Sequence, residues 1–373
     1  MERLLLLGGG HSHVEVIRRF GARPLRGTAI TLVSPDRHTP YSGMLPGFVA
    51  GHYDYDDCHI DLEPLCAAAG ILLHRAEASA FDPDAGRVVC SDGSVAAYDV
   101  LSIDVGSTPD MRAIPGALEH GIPVKPVAQF LSAWENIHAA LRDGRRLSLA
   151  FVGGGAGAVE LAAAMHHRLV AEVSAAAGRI SLLTDAASIL PTHPARVQRI
   201  FERLLRERGI EVRFGAKVVG ISPGRVECAD GSSLSADHAI IATGAGAPGW
   251  ITESGLRPDA RGFIAVNGHL QSLSHPNVFA AGDIATMVDN PRPKMGVYAV
   301  RQGPILDGNL RRALRGEALR RYLPQRTALT LISTGGKHAV ASWNGIVFEG
   351  DWVWHWKDRI DCRFMARYRR ESA

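Results

Sequence analysis

The sequence predicts an α/β fold with two Rossmann-like units, followed by a short α+β segment at the C-terminal end. The first observation is an internal repeat: the apolar runs 3–7 and 147–152 each lead directly into three consecutive glycines. An apolar run that breaks into a glycine turn is typical of a buried parallel strand that precedes a helix. The second observation is that another apolar run follows each turn, at 29–33 and at 179–184. Two βαβ units of this kind indicate two nucleotide-binding halves.

Later segments extend the two units and divide the chain. The pattern predicts helices at 129–142, 195–208 and 297–315, and strands at 100–106, 210–214, 238–242 and 277–283. Residues 109–126 are rich in proline and glycine and indicate a crossing between the units. We expect a first domain made of 1–118 and 243–320, a second domain of 119–242, and a C-terminal segment of 321–373.

Composition argues against several classes of protein. The chain has 373 residues, 46% of them hydrophobic, which allows a large core in two or three domains. Its net charge of +3 gives no indication of nucleic-acid binding. The five cysteines include no CxxC or CxxxxC pair, which disfavours a disulfide framework and a zinc site. His11, His13, His166 and His167 lack a carboxylate or cysteine at ligand spacing, so we expect no metal.

The N-terminal end begins with a short apolar run. Leu4–Leu7 is too short for the apolar part of a signal peptide and ends in glycine, so we interpret it as a first strand. The sequence has no run of about 18 uncharged apolar residues of the kind that spans a membrane. These features predict a cytoplasmic protein.

The first glycine turn contains two of the three glycines of a dinucleotide-binding loop, Gly8 and Gly10. Backbone N–H groups of such a turn approach a pyrophosphate, and the dipole of the following helix, which begins with His11 and Ser12, favours the negative charge. His13 occupies the position of the third glycine, which normally lets the helix pack closely on the strand. We expect the His13 side chain to point away, or the helix to sit further from the sheet.

The second glycine turn is more regular. Gly153, Gly155 and Ala158 match the GxGxxA form of the same loop, and Glu160 follows on the same predicted helix.

The acids that could bind ribose hydroxyls are displaced in both units. Asp36 lies two residues beyond the expected position in the first unit, so it is either a ribose ligand or a solvated turn aspartate. In the second unit Thr184 occupies the expected position and Asp185 follows it. An acid favours NADH, whereas an arginine favours the 2′-phosphate of NADPH. Asp185 therefore favours NADH, and the choice stays open.

A third motif follows the strand at 277–281. Gly282 and Asp283 form a turn that carries a carboxylate able to accept hydrogen bonds from polyol hydroxyls. Lys294 and Gly296 precede a helix whose N-terminal end would stabilise negative charge on a reduced flavin. The alternative for Lys294 is an exposed loop lysine.

The three motifs, in this order and at these spacings, resemble those of FAD- and NAD(P)-dependent pyridine nucleotide oxidoreductases, which have a glutathione-reductase-like arrangement of two dinucleotide-binding domains. A closer likeness is to type II NADH dehydrogenases and sulfide:quinone oxidoreductases. The chain is most similar to the flavoproteins found beside or fused to selenide, water dikinase. That last likeness covers essentially the whole chain and rests on GGGHSHVEV at 8–16, TPYSGMLPG at 39–47, CHIDL at 58–62 and GVYAVRQG at 296–303.

The resemblance implies that residues 1–118 and 243–320 bind FAD and that 119–242 bind NADH or NADPH. Glu160 would orient the nicotinamide, and Lys294 would act beside the flavin, so we predict both as catalytic residues. Asp283 would hold the ribityl chain, and Gly296 and Val297 would lie against the isoalloxazine ring. The predicted cofactor-binding residues are Gly8, Gly10, His11, Ser12, His13, Asp36, Gly106, Gly153, Gly155, Asp185, Gly244, Gly282, Asp283, Gly296 and Val297.

Missing features narrow the chemistry. Disulfide reductases of this type need a cysteine pair beside the flavin, and the chain has none at that spacing. Sulfide oxidation needs cysteines in the second half of the chain, where only Cys228 and Cys362 occur, so it is disfavoured. Cys58 is interpreted as a buried apolar residue, with a lone reactive thiol as the alternative.

The C-terminal segment predicts an amphipathic helix. An aromatic and apolar stripe recurs every four residues, at Trp352, Trp356, Ile360, Phe364 and Tyr368. Polar residues occupy the other faces: Lys357, Asp358, Asp361, Arg363 and Arg370. The stripe packs on the first domain or on a second copy of the chain, which would give a homodimer. Alternatively, it lies on the inner face of the cell membrane as a peripheral contact.

The sequence thus predicts an enzyme that takes electrons from NADH or NADPH through FAD and passes them to a quinone-like acceptor. The alternatives are a flavoenzyme that acts on selenium or sulfur compounds and a non-catalytic flavoprotein that senses NADH.

Overall fold

The computed structural model describes residues 1–173 and 178–369, so Arg370 lies outside the described part. Helices and strands are numbered in chain order. Those up to residue 120 are β1 (Glu2–Leu7), α1 (His11–Ala22), β2 (Thr28–Val33), β3 (His38–Pro40), α2 (Leu45–Val49), α3 (Tyr55–Cys58), β4 (His59–Asp61), α4 (Leu62–Ala69), β5 (Leu72–His74), β6 (Ala78–Asp82), β7 (Arg87–Cys90), β8 (Val95–Ala97), β9 (Val100–Ile103), β10 (Thr108–Pro109) and α5 (Ala117–His120).

The remaining elements fall into three groups. Residues 121–241 form β11 (Gly121–Pro123), α6 (Val127–Arg142), β12 (Leu147–Val152), α7 (Ala156–Glu172), β13 (Gly178–Leu183), α8 (Ala195–Glu207), β14 (Glu211–Arg213), β15 (Val218–Ser222), β16 (Arg225–Cys228), β17 (Ser233–Ser235) and β18 (His238–Ile241). Residues 245–313 form β19 (Ala245–Gly246), β20 (Ile264–Val266), β21 (Val278–Ala280), β22 (Ala285–Met287) and α9 (Gly296–Ala313). The C-terminal segment forms β23 (Thr330–Ser333), β24 (Ala339–Trp343), β25 (Ile346–Gly350) and α10 (Asp351–Met365).

Two parallel sheets form the centre of the molecule. Within the described residues the first has the strand order β21-β9-β1-β2-β5 and the second the order β11-β18-β12-β13-β14. Leu4–Leu7 of β1 are buried, as expected for a central strand that has other strands on both sides and helices on its faces. The predicted α/β fold with two Rossmann-like sheets is confirmed.

The internal repeat extends beyond the two glycine turns. A three-stranded antiparallel sheet, β6-β7-β8, precedes β9 in the first unit, and β15-β16-β17 precedes β18 in the second. Each of β9 and β18 then pairs in parallel with the strand that leads into its glycine turn. Because the carboxyl ends of parallel strands meet at one edge of a sheet, each glycine turn lies beside the residues that follow β9 or β18.

The chain passes between the two sheets twice, and the two passages lie side by side. β10 pairs antiparallel with β19, with Thr108 opposite Gly246 and Pro109 opposite Ala245. The first sheet is completed only after the second passage, when β21 pairs with β9.

The C-terminal segment is a three-stranded antiparallel sheet, β23-β24-β25, against which α10 packs. Val353 and Trp354 of the helix form a small core with Ala339 and Ala341 of the sheet.

The predicted aromatic stripe of α10 does not stay on one face. Trp352, Trp356 and Ile360 are exposed, whereas Phe364 and Tyr368 are buried in the core of the first domain. Four residues exceed one helical turn by about 40°, so a four-residue spacing drifts by about 120° between Trp352 and Phe364. Packing on the first domain is therefore confirmed for Phe364 and Tyr368, whereas contact of the exposed residues with a membrane or a second copy stays a prediction.

The described helices include none with the length and hydropathy needed to cross a lipid bilayer.

Candidate functional site

The first glycine turn lies where β1 ends and α1 begins. Gly8 has a φ of +88°, which favours glycine, and a Cβ on it would lie 2.6 Å from the carbonyl oxygen of Asp104. His11 and Ser12 form the first turn of α1, and the Ser12 hydroxyl donates to the carbonyl oxygen of Ala299 in α9. The two helices that carry the first and third motifs are therefore joined directly at the turn.

The His13 side chain lies inside the first domain. Its ring is fully buried, with Nδ1 2.6 Å from the carbonyl oxygen of Gly8 and Nε2 2.8 Å from the hydroxyl oxygen of Ser102 in β9. Burial lowers the pKa of His13 to about 4, so the ring is neutral near pH 7. The first alternative, that the side chain points away from the sheet, is wrong, because the ring lies between α1 and β9 against the small Ser102. The second alternative, a helix further from the sheet, stays a prediction. The predicted contact of His13 with a cofactor stays a prediction.

Asp104, which sequence reasoning missed, lies at the centre of the first turn. It follows β9 and is buried, and its Oδ2 accepts hydrogen bonds from the backbone N–H groups of Ser12 at 2.8 Å and His13 at 3.1 Å. Its contact with the turn depends on the pairing of β9 with β1, which places residues about 90 positions apart side by side.

Asp283 is held by an ion pair with Lys125. The Lys125 Nζ lies 2.9 Å from Asp283 Oδ2, and the Ser107 hydroxyl donates to the same oxygen at 3.3 Å. Burial alone would raise the pKa of Asp283, but the Lys125 ammonium outweighs it and the pKa is lowered. Lys125 precedes α6 in the passage to the second domain, so this pair links the third motif to the interdomain segment. Sequence reasoning missed Lys125.

Lys294 is not an exposed loop lysine. Its Nζ donates to the carbonyl oxygen of Ala285 at 2.6 Å and to the Thr286 hydroxyl at 2.9 Å, and it lies 3.9 Å from the centre of the Phe263 ring. Burial lowers the pKa of Lys294 to about 8. A cleft lined by Gly282, Asp283 and Lys294 lies beside this ammonium.

The second glycine turn is open. A Cβ on Gly155 would meet no atom within 4 Å, whereas one on Gly10 would lie 2.4 Å from Asp104 Oδ1. The Thr243 hydroxyl, near this turn, is buried without a hydrogen-bond partner among the described residues, as is Nε2 of His11 at the first turn. Unsatisfied buried polar atoms are rare in proteins and fit places where a polar ligand binds. Both turns therefore have room or donors for a dinucleotide.

The two predicted ribose acids lie at the carboxyl edges of their sheets. Asp36 is exposed in the turn after β2, and Asp185 is exposed two residues beyond β13. Thr184 is buried beside the second turn, where a Cβ on Gly154 would lie 2.5 Å from its hydroxyl oxygen. Thr184 therefore faces the turn, and the carboxylate available to a ligand at this edge is that of Asp185.

Four further predicted residues lie near the edges of these sites. Gly106 has a φ of +75° and open space around it, and Gly244 is exposed after β18. Val297 is part-buried in the first turn of α9, whose first residue, Gly296, faces the hydroxyl of Ser42: a Cβ there would lie 3.7 Å from it.

Glu160 lies where the second domain meets the C-terminal segment. The backbone N–H of Ser333, at the end of β23, donates to Glu160 Oε1 at 2.6 Å. Loss of water around the carboxyl raises the pKa of Glu160 to about 7, although the charge of Lys357 on α10 opposes the shift. A carboxyl with this pKa can hold or release a proton at neutral pH.

Lys357 connects three parts of the molecule. It is buried on α10, and its Nζ donates to the carbonyl oxygen of Gly43 at 2.5 Å and to Asp361 Oδ2 at 2.7 Å. The Tyr41 hydroxyl donates to the other oxygen of Asp361 at 3.1 Å. Sequence reasoning placed Lys357 and Asp361 on a polar helix face. The sequence feature that could have identified them is a pair of opposite charges four residues apart on a predicted helix. The structure buries the side of the helix that carries this pair.

Two observations concern metal and thiol chemistry. His74, Cys90 and Asp92 bring possible ligand atoms within 4.8 Å of one another, and His74 Nε2 is 2.9 Å from Asp92 Oδ2. The cysteines are all free, and burial raises the pKa of Cys58 to about 12, in keeping with a buried apolar residue.

The second unit has residues at the positions equivalent to His74, Cys90 and Asp92. Its hairpin repeats the cysteine and the aspartate as Cys228 and Asp230, and Arg213 occupies the strand position of the histidine. Hydrogen bonds from the hydroxyl and the backbone N–H of Ser232 lower the pKa of Asp230, and the charge of Arg213 adds a smaller effect in the same direction. Because an arginine does not ligate metals, the second unit does not repeat the full set of possible ligand atoms, and Arg213 forms an ion pair with Glu211 instead.

Comparisons with known proteins agree with this architecture. Residues 2–303 match the pyridine nucleotide-disulphide oxidoreductase family. An NADH dehydrogenase-like protein of Mycobacterium tuberculosis is 28% identical over 239 residues, which are 62% of this chain, and the chain spans 60% of the length of that relative. A type II NADH:quinone oxidoreductase of Staphylococcus aureus is 23% identical over 358 residues, 90% of this chain and 89% of that protein.

Solved structures share the fold. The sulfide:quinone oxidoreductase of Aquifex aeolicus superposes with a TM-score of 0.81 at 19% identity, covering 99% of this chain and 92% of that one. NDH2 of Plasmodium falciparum gives a TM-score of 0.80 at 14% identity, covering 98% and 97%. The family match over most of the chain, together with two glycine turns on two parallel sheets, shows that this chain belongs to the pyridine nucleotide-disulphide oxidoreductase family.

Proposed function

We propose that this protein is an FAD-dependent enzyme that takes electrons from NADH or NADPH and passes them to a quinone-like acceptor. The observation that carries the proposal is the position of Lys357. It contacts Gly43 of the first domain, and its charge lies close enough to Glu160 of the second domain to oppose the rise in the pKa of that carboxyl. Groups from all three parts of the chain therefore meet around Lys357, which supports a site between the two dinucleotide turns.

FAD would occupy the first domain, which we assign to residues 1–118 and 243–320. The turn at Gly8 and Gly10, the start of α1 and the open Gly106 suit the pyrophosphate, and Asp283 suits the ribityl hydroxyls. Bound FAD supplies the transfer of electrons from the nicotinamide to the acceptor. Lys294 would place a positive charge beside the flavin and so favour its negatively charged reduced form.

The nicotinamide cofactor would occupy residues 119–242. Gly153 and the open Gly155 let a pyrophosphate approach the start of α7. Exposed Asp185 supports NADH over NADPH, because a carboxylate accepts from a 2′-hydroxyl and repels a 2′-phosphate. Glu160, one turn into the same helix, suits a role at the nicotinamide end.

The acceptor side would be formed by α10. Reduction of a quinone consumes two protons as well as two electrons, so the site needs a group that holds a proton near pH 7. Glu160 has the required pKa. The Lys357–Asp361 ion pair nearby is buried, so its charges act on the Glu160 carboxyl with little screening by bulk water. The acceptor would thus be protonated from Glu160.

An apolar surface suggests how a lipid-soluble acceptor arrives. We define the tryptophan surface as six residues of the β24–β25 hairpin and α10 that are 37–55% exposed: Trp343, Ile346, Phe348, Trp352, Trp356 and Ile360. The rings of Trp352 and Trp356 stack with centres 6.3 Å apart. A patch of this kind, flanked by exposed Arg359 and Arg363, suits the interface of an anionic membrane. We propose peripheral attachment through this surface, with a homodimer contact as the competing outcome of the test.

A panel of acceptors tests the proposal. FAD-loaded protein is supplied with NADH under anaerobic conditions, and NADH consumption is measured with a soluble quinone, selenite or polysulfide. Fast turnover with the quinone alone is expected. Turnover confined to selenite or polysulfide would instead support an enzyme of selenium or sulfur metabolism, in keeping with the likeness to proteins associated with selenide, water dikinase. Slow flavin reduction without turnover would support an NADH sensor.

A further inference from the structure

The two glycine turns differ in the side chain that the neighbouring strand places beside them. Asp104 follows β9, and Ala242 takes the same place after β18. A Cβ on Gly8 would lie 2.6 Å from the carbonyl oxygen of Asp104, and one on Gly153 would lie 2.4 Å from that of Ala242. The backbones of the two units therefore match at this point, and the carboxyl group of Asp104 has no counterpart in Ala242.

This carboxyl fills the space at the start of α1. Its Oδ2 accepts the N–H groups of Ser12 and His13, which are donors that a helix start offers to an anion. Its Oδ1 would lie 2.4 Å from a Cβ on Gly10 and 2.3 Å from one on Gly282. The equivalent space at Gly155 of the second turn is open. The glycines of the first turn thus make room for the Asp104 side chain as well as for a ligand.

The charge of Asp104 opposes the ligand that the turn would bind. Burial raises the pKa of Asp104 to about 7, against the N–H donors of His13 and Ser12, and the negative charge of Asp283 adds to the rise. A pyrophosphate would bring about two more negative charges to the same helix start. It would therefore favour the neutral carboxyl further.

We propose that binding of FAD to the first glycine turn is coupled to the uptake of one proton by Asp104. The proton comes from solvent and stays on the carboxyl, which then donates a hydrogen bond toward the pyrophosphate instead of repelling it. Asp104 is thus a positioning residue that sets how tightly FAD is held at a given pH. This inference rests on the proposed function, because it needs FAD in the first turn.

Other groups around Asp104 do not produce the same coupling. His11 and His13 on α1 have pKa values lowered by burial to about 4, so they stay neutral between about pH 6 and 9. The pKa of Asp283, which faces Lys125, is lowered, so it stays ionised. Lys294, with a pKa lowered by burial to about 8, is the neighbour that titrates in this range, and it needs a control.

The test uses protein from which FAD has been removed and to which it is added back. The Kd for FAD is measured by fluorescence quenching between about pH 6 and 9, and proton uptake is followed with an indicator dye in weak buffer. Above about pH 7 the Kd should rise roughly tenfold per pH unit, with close to one proton taken up per FAD at about pH 8. Asp104→Asn should show a nearly constant Kd and no uptake, as should Asp104→Ala, which reproduces the second turn.

The outcomes separate this inference from the function on which it rests. Lys294→Met should keep the slope between about pH 7 and 8, because it leaves Asp104 intact. FAD binding by the unchanged protein without proton uptake, or an unchanged slope in both Asp104 variants, overturns the inference and leaves the proposed function standing. A protein that binds no FAD at any pH contradicts the proposed function as well.

Discussion

Glu160 is a single side chain whose protonation depends on neighbours far away in sequence. Ser333 and Lys357, which act on its carboxyl, both belong to the C-terminal segment. The position of Glu160 on α7 follows from the GxGxxA turn, whereas the environment that raises its pKa depends on how the chain end packs against the second domain. The chemistry assigned to this residue is therefore a property of the assembled molecule.

We expect Glu160→Gln to lower turnover with a soluble quinone by about 10²-fold at pH 6, because the amide donates no proton. In the unchanged enzyme turnover should fall as pH rises through about 7, since the protonated carboxyl is present below that pKa and lost above it. The variant should lack this inflection. Glu172→Gln, near the exposed end of the same helix, is the matched control, and a pH profile of Glu160→Gln that keeps the inflection would count against the role.

Asp185 is the residue at which the choice of nicotinamide cofactor is tested. Asp185→Ser removes a carboxylate that accepts from a 2′-hydroxyl and repels a 2′-phosphate, so the ratio of kcat/KM for NADH to that for NADPH should fall about tenfold. Asp143→Ser is the control, because Asp143 follows α6 at the opposite, amino edge of the second sheet. An unchanged ratio would mean that residues other than Asp185 determine the preference for NADH or NADPH.

At the scale of elements, α10 has two separate tasks. Its buried face supplies Lys357, Asp361 and Phe364 to the interior, and its exposed face carries half of the tryptophan surface. Because residues four apart are offset around the helix, the aromatic residues with this spacing lie partly on the exposed face and partly on the buried face. In the proposed function this helix links the acceptor side of the site to the membrane contact.

We expect the double variant Trp352→Ser, Trp356→Ser to bind anionic liposomes about tenfold more weakly, because it removes two exposed rings from the tryptophan surface. The free energy of unfolding should change by less than about 0.5 kcal/mol for each exposed site. Leu118→Ser, which alters an exposed apolar residue on α5, is the control. Equal liposome binding by all three proteins would exclude the membrane contact. Loss of a dimer in the double variant, seen by sedimentation, would assign the surface to self-association.

At the scale of the whole molecule, the sequence predicted the features that depend on local pattern. The strands that lead into Gly8 and Gly153, and the helices after them, could be predicted from neighbouring residues. The prediction that these strands belong to two parallel sheets is confirmed. Asp104, Lys125 and Lys357 could not be predicted as site residues, because each contacts a segment brought near only by sheet pairing or by docking of the chain end. His13 was misjudged because the space for its ring comes from Ser102 on another strand.

The central claim is that two dinucleotides meet between the two glycine turns, and anaerobic titration of FAD-loaded protein with NADH tests it most directly. The absorbance of the flavin should bleach, and Gly155→Ala should need at least about tenfold more NADH, because its methyl group meets no protein atom but enters the space of the pyrophosphate. Gly157→Ala, also in open space two residues further on, should behave as the unchanged protein. Flavin that neither NADH nor NADPH bleaches, or a Gly155→Ala titration identical to that of the unchanged protein, would contradict the claim.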